Sequence, residues 1–264
     1  MDIDKLNLIK KDILSIPLPH KTKSDLFCGL FVDGSSKVTF EKADAAFHSF
    51  KLYSQYDYLV YLFVSILNPK EEIEKILCKY PNTIVHQINP LIGLEKYSEW
   101  MLKYPWYVID PKHENILTFQ DDSAIIKEGW EDYFLDGKWD YAGSPWRSDI
   151  TVLTKNGPLK TLRVGNGGIS ARKRTAIIKV IEYINSNGGQ HKYFTGIKIN
   201  DVLKQQNSWL AEDAAICSVG ATFDLLNLPT EEQARKFGHE PIELSLYMDK
   251  ENETRPWVMH KCDN

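Results

Sequence analysis

The sequence predicts an α/β fold, with a mostly parallel central sheet flanked by helices. Three observations lead there. Apolar runs of strand length alternate with stretches of helical period over the first 120 residues. Hydrophobic residues make up 43% of 264 residues, enough for a sizeable core and too many for a disordered chain. No repeat or low-complexity segment interrupts the alternation.

The elements follow in order. Asp25 to Asp33, DLFCGLFVD, reads as a buried strand. Phe40 to Tyr53 has helical spacing, with Ala43, Ala46, Phe47 and Phe50 on one side. Tyr58 to Ser65, YLVYLFVS, is a second strand. NPKEEIEKILCKY opens a helix, with Asn68 as cap, Pro69 in the first turn and Glu71 three residues after the cap. Its apolar residues Ile73, Ile76, Leu77 and Tyr80 keep the helical period. Thr83 to Ile88 is a strand, Leu94 to Tyr104 a helix, and Asn115 to Phe119, NILTF, the next strand. Strands separated by helices argue for parallel pairing.

In such a sheet, ligands bind beyond the carboxyl ends of the strands. Asp33 and the run Gln120-Asp121-Asp122 both fall there. Two adjacent carboxylates repel and lose solvation in a cleft. Either water bathes them at a turn or a cation sits between them, and the local sequence fits both readings equally.

The second half is less regular. WDYAGSPW, Trp139 to Trp146, joins aromatics to turn residues, as binding clefts often do. Gly165-Asn166-Gly167-Gly168 lets backbone approach a ligand closely, or forms a plain loop. It is neither GxGxxG nor GxxxxGK[ST], so the dinucleotide and P-loop readings fail. Arg172-Lys173-Arg174 either faces an anionic partner or forms the solvated first turn of the helix carrying Ile177, Val180, Ile181 and Ile184. Basic groups are slightly unfavourable at that end of a helix, which leans toward the anion. Glu212-Asp213, where a helix begins, supplies a general base or simply favours the helix N-terminus; local sequence prefers the latter. His260 is a lone late histidine, and no other His shows paired metal-ligand spacing.

Net charge is −4 and the isoelectric point about 6.0, which excludes nucleic-acid binding by global electrostatics. Local basic tracks remain at Lys21 and Lys23, at Arg172 to Arg174, and at Lys192. The four cysteines have no CxxC spacing, so zinc and iron–sulfur sites are not expected. Cys28 and Cys78 read as buried thiols in a reducing compartment. The first 20 residues lack a signal-peptide core and no apolar run reaches the roughly 18 residues of a membrane span. A soluble, cytoplasmic protein is expected.

The joint order of the motifs carries more than any one of them. ILTFQDDS, WDYAGSPW, VGNGGISARKR and AEDAAI, with WVMHK as a weaker fifth, span Ile116 to Lys261. In that order they resemble a family of uncharacterised glycosyltransferase-like domains with the GT-A fold. The N-terminal half matches only in its strand–helix alternation. The resemblance implies one GT-A-like domain over residues 1–264, with a nucleotide-binding half at about 25–123 and an acceptor half at about 124–264. It implies transfer of a sugar from a nucleotide-sugar donor, UDP-sugar favoured, to an acceptor hydroxyl, assisted by Mn²⁺ or Mg²⁺. Asp122 and His260 are then the metal ligands. Asp33, Asp121, Gly167, Gly168 and Arg172 bind the donor. Asp213, with Glu212 second, is the base if configuration inverts, or holds sugar hydroxyls if it is retained. Trp139, Tyr141 and Trp146 offer aromatic faces to sugar or base. The usual DxD motif would need Asp at position 120, where Gln120 stands, leaving one carboxylate to do the work of two. A glycan, a small metabolite, a protein or a hydroxylated DNA base all remain open as acceptor. Two other readings stand beside this one. The first is a non-catalytic nucleotide-sugar or glycan-binding module, motivated by Gln120. The second is a metal-dependent phosphoryl-transfer or nuclease-like enzyme, which would gather more carboxylates.

Overall fold

Strand β1 (Lys23–Asp33) shows why the sheet is buried on both faces. Its side chains alternate, Phe27 and Phe31 entering one core and Cys28, Leu30 and Val32 the other. Gly29 lies between the two phenylalanines. A Cβ there would fall 2.9 Å from the Phe119 ring and 3.1 Å from Phe50, two rings that stack at 5.1 Å. The computed structural model describes residues 3–35, 39–146, 149–153, 159–186, 211–239, 247, 249–251 and 253–260. Lys192 and Cys262 lie outside them.

Around β1 the chain runs α1 (Ile3–Ser15), α2 (Phe40–Tyr53), β2 (Asp57–Ser65), α3 (Lys70–Lys79), β3 (Thr83–Ile88), α4 (Gly93–Met101), α5 (Pro105–Val108) and β4 (Asn115–Phe119). The strands lie in the order β3-β2-β1-β4, all parallel. The second half adds β5 (Ser123–Ile125), α6 (Trp130–Asp136), β6 (Tyr141–Gly143), β7 (Ile150–Leu153), β8 (Leu159–Leu162), β9 (Ile169–Lys173), α7 (Arg174–Ser186), α8 (Glu212–Thr222), α9 (Glu231–Phe237), β10 (Gly238–His239) and β11 (Val258–His260). β9 pairs antiparallel with β4, and β6 antiparallel with β9, completing a six-stranded, mostly parallel sheet. β10, β11 and β5 form a second small sheet, and β7 and β8 a third. Helices cover both faces. α2 and α6 close the core around Phe27, Phe47 and Trp130, while α4, α5, α7 and α8 close the one around Leu30, Trp106 and Ile177. The α/β class and the parallel sheet are as the alternation predicts.

Several local expectations differ. α3 starts at Lys70, with Pro69 as its cap residue and no side-chain capping bond. Asn68 is instead buried in the preceding turn, where its backbone N–H donates to the Ser65 carbonyl at 3.0 Å. Cys78 is exposed, because it lies on the solvent side of α3, whose buried residues are Ile73 and Ile76. The helix expected over 94–104 ends at Met101, and a separate turn follows at Pro105. Arg172 and Lys173 belong to β9 rather than to a helix, which begins only at Arg174. α1 packs on α2 and was not signalled by any motif. Among the described residues, no helix is long and apolar enough to cross a membrane.

Candidate functional site

Register alone brings the acidic residues together. Phe31 of β1 lies opposite Phe119 of β4. Two residues further on come Asp33, the last residue of β1 and still paired with Val64 of β2, and Asp121, just beyond the end of β4. Asp33 Oδ1 accepts from the Ser35 N–H at 2.7 Å, tying the chain back at the strand end. Burial, then Asp122, then Asp33 push the Asp121 carboxyl above its usual range, against pull from Lys10 and Lys42.

The turn from β4 to β5 is held by Ser123. Its Oγ donates to the Gln120 carbonyl at 2.8 Å and accepts from the Gln120 N–H at 2.9 Å. That turn presents Asp122. The antiparallel pairing of β11 with β5 sets His260 opposite Ser123, so a residue 138 positions later in the chain arrives beside Asp122. His260 Nε2 lies 3.1 Å from Asp122 Oδ1, with His260 buried and Asp122 partly open. Two ligands about 2.1 Å from one cation in adjacent octahedral positions stand about 3 Å apart. The pair therefore has the spacing of two adjacent ligands in such a shell, as well as that of a direct ion pair. Among the described residues no group of three or more His, Cys, Asp or Glu forms a closed metal cluster. Any cation here would take its remaining ligands from substrate and water, as hard divalent cations on phosphate substrates do.

The glycine run crosses the floor of the cleft. Ile169 of β9 pairs with Phe119, so Gly168 abuts Gln120. A Cβ on Gly168 would overlap the His260 imidazole. A Cβ on Gly167 would fall 2.6 Å from Glu212 Oε1. Gly165 has φ of 101°, a left-handed conformation that favours glycine. Asn166 Oδ1 accepts from the Gly168 N–H at 2.9 Å and sets the turn.

The α8 N-terminus closes one side. Asp213 Oδ2 accepts from Gly167 N–H at 2.8 Å and from Trp146 Nε1–H at 3.1 Å, and its Oδ1 accepts from Ala214 N–H at 2.7 Å. Glu212 Oε1 accepts from Arg172 Nη2 at 3.1 Å, with both side chains almost fully buried. Burial first and Asp213 second raise the Glu212 carboxyl to about 7, against the pull of Arg172. The Arg172 guanidinium lies 4.6 Å from the Tyr141 ring and 5.4 Å from that of Trp106. Burial works against its charge, and the Glu212 carboxylate offsets that by direct pairing.

Most of the residues expected at the site thus meet around one cleft: Asp33, Asp121, Asp122, Gly167, Gly168, Glu212, Asp213, Trp146 and His260. Three are placed differently. Arg172 is wholly interior and spends its charge on Glu212, because its position on β9 turns it inward beside Tyr141. Trp139 is buried against Tyr133 on the α6 side of the sheet. Tyr141 is buried completely and donates its hydroxyl to the Gly165 carbonyl at 2.7 Å, so neither ring offers an open face. Tyr97 was not foreseen. Its hydroxyl accepts from Gln120 Nε2 at 3.2 Å, and burial, with Glu212 beside it, raises its ionisation well above normal. Nothing in LEKYSEW separates Tyr97 from an ordinary helix aromatic. Asn166 was open to detection, since Asn between glycines is a strong turn signal.

These features define an α/β protein with a cluster of acidic residues, glycines and one histidine at the carboxyl ends of its parallel strands. The chain belongs to the family described as protein of unknown function DUF5672, which matches residues 82–260. That span runs from the start of β3 to His260 and holds every cleft residue but Asp33. No curated protein matches the chain. Among solved structures, it is similar to 4-diphosphocytidyl-2C-methyl-D-erythritol synthase from Anaerococcus prevotii at 13% identity and TM-score 0.37, over 62% of this chain and 77% of that one. It is also similar to the apo-form glycosyltransferase GlyE of Streptococcus pneumoniae at 12% identity and TM-score 0.46, over 90% of this chain and 55% of that one.

Proposed function

We propose that this protein is a glycosyltransferase that moves a sugar from a nucleotide-sugar donor, UDP-sugar favoured, to an acceptor hydroxyl with help from Mn²⁺ or Mg²⁺. The reading treats the chain as one GT-A-like domain. The observation that carries it is the Asp122–His260 pair, assembled from distant parts of the chain at the strand ends where α/β folds bind nucleotides.

Asp122 and His260 would hold the cation. When bound, it supplies positive charge to a diphosphate leaving group. Asp33 and Asp121 line the donor side. Gly167 and Gly168 keep the floor low enough for a sugar beside His260. Asp213 accepts from three N–H donors, so its role here is to position the Gly167 turn and Trp146. Glu212, its carboxyl raised by burial and by Asp213, is the remaining candidate to take the acceptor proton, provided substrate reaches it beside its contact with Arg172. Trp146 is the aromatic left at the cleft for sugar or base.

One observation favours a second reading, a nucleotide-sugar or glycan-binding module without turnover. Both acidic residues at α8 are engaged within the protein, and Gln120 donates to Tyr97 where a second metal-binding carboxylate would stand.

A thermal-shift panel of UDP, GDP, CDP and their sugars, each with Mn²⁺, Mg²⁺ or EDTA, tests the reading. A ligand at one hundred times its Kd stabilises the folded state by about 2.7 kcal/mol. We expect a shift for one nucleotide class that disappears with EDTA and in Asp122→Ala. No shift with any of them at saturation would overturn the donor site. Donor binding without sugar transfer or hydrolysis across an acceptor panel would favour the binding module.

A further inference from the structure

A second cavity, of about 310 Å³, opens at the opposite end of the central sheet. The ten-residue rise of β1 from Lys23 to Asp33 separates it from the acidic cleft by roughly 30 Å. Its walls bring together four lysines from three parts of the chain. Lys21 and Lys23 precede and open β1, Lys51 comes from the last turn of α2, and Lys79 ends α3.

Gathering four ammonium groups in one hollow is unfavourable unless something offsets the repulsion. The protein offsets part of it. Lys51 reaches Asp57 Oδ1 at 2.6 Å and Lys79 reaches Asp44 at 2.8 Å. Lys21 donates to the Leu52 carbonyl at 2.6 Å and to the Ser54 carbonyl, which carry no net charge. Lys23 pairs with Asp57 in the β1–β2 ladder, but its ammonium makes no hydrogen bond or ion pair among the described residues, and its charge bears on Lys51. Burial lowers the proton affinity of both Lys51 and Lys21. Asp57 is the only carboxylate among the lining residues, while Asp44 meets Lys79 and the charges of Glu128 and Glu131 bear on Lys21 from outside the lining, so the wall itself presents more ammonium than carboxylate to an anion. Leu18, Tyr80 and Pro81 add an apolar wall, and the volume sits at the small end of ligand sites.

We propose that this lysine-lined cavity is a binding site for a small phosphate-bearing molecule, separate from the acidic cleft. Lysine ammonium groups bind phosphate as point charges, and here backbone carbonyls and two carboxylates hold three of them in place. The site owes nothing to the transferase reading and stands or falls alone.

Calorimetric titration with inorganic phosphate and with pyrophosphate tests it, in EDTA, with sodium chloride matching ionic strength. The protein carries Asp122→Ala, so that the acidic cleft does not contribute. We expect saturable binding at one site, weakened at least tenfold by Lys23→Glu and little changed by Lys70→Glu, which alters net charge equally at an exposed position on the far end of α3. Lys23 is exposed, so its variant should melt as the parent does, and a melt without ligand checks this. Absence of saturable heat at millimolar anion would overturn the proposal. So would equal binding by the parent and Lys23→Glu, or an equal loss in both charge variants.

Discussion

At Gly168 the side chain that is missing makes room for the imidazole of His260. A single methyl there must push His260 off Asp122 or bend β9. Gly168→Ala is therefore expected to cost roughly 1–3 kcal/mol by overpacking. Urea unfolding measures that cost, and nucleotide thermal shifts measure the cleft. We expect the variant to stay folded but lose cation-dependent stabilisation; full retention of both would show that His260 has freedom the packing denies it. Gly167 is as tightly held, because a Cβ there would press on Glu212 Oε1, which is buried against Arg172, and on the Asp213 Cβ. Reading these glycines as room for a ligand was half of the matter. The space they leave is first taken by the protein's own Glu212 and His260.

At the scale of elements, β9 and α8 are locked by Arg172 and Glu212. A buried pair of this kind contributes little net stability, yet removing one partner leaves a stranded charge. Arg172→Met should cost about 3–5 kcal/mol at pH 8. Glu212 can relieve this by taking a proton, so the cost should shrink at pH 5, and adding Glu212→Gln should restore part of the loss. Denaturant melts of the two single variants and the double variant at both pH values check this, and a cost independent of pH would refute it. The strand identity of Arg172 was legible only in part. ISARK alternates as a strand does, but Arg-Lys-Arg before a helical period also reads as a first turn. Pairing with both β4 and β6 decided for the strand and turned the guanidinium inward.

Over the whole molecule, buried carboxylates shape stability against pH. Glu131 on α6 is fully buried and accepts from the Gln55 N–H at 2.7 Å. Burial raises its carboxyl from 4.5 to about 7, with the Gln55 bond pulling the other way. A raised carboxyl binds its proton more tightly in the folded state. Its contribution is present in full below 4.5 and is lost as pH rises through 7. Glu131→Gln removes that slope while keeping an acceptor for Gln55. The variant should match the parent near pH 4.5 and exceed it at pH 8 by on the order of 1–3 kcal/mol. Unfolding free energies across that range test it, and parallel profiles would show that Glu131 does not titrate there.

The sequence by itself determined the strand–helix order from β1 to β4, the α/β class, the parallel sheet and the position of Asp33 and Asp121 at strand ends. These follow from local periodicity and from the rule that crossover helices make parallel strands. It also placed Glu212 and Asp213 at a helix start. Only the tertiary structure decided which side chains face each other. Asp122 meets His260 because β11 pairs with β5, a contact across 138 residues that no local pattern encodes. Tyr141 is buried for the same reason, since its pairing with Arg172 on β9 fixes the face it takes, while Trp139, just before β6, packs against Tyr133 of α6. The lysine cavity is likewise a product of packing, because Lys21, Lys51 and Lys79 converge only when β1, α2 and α3 are in place.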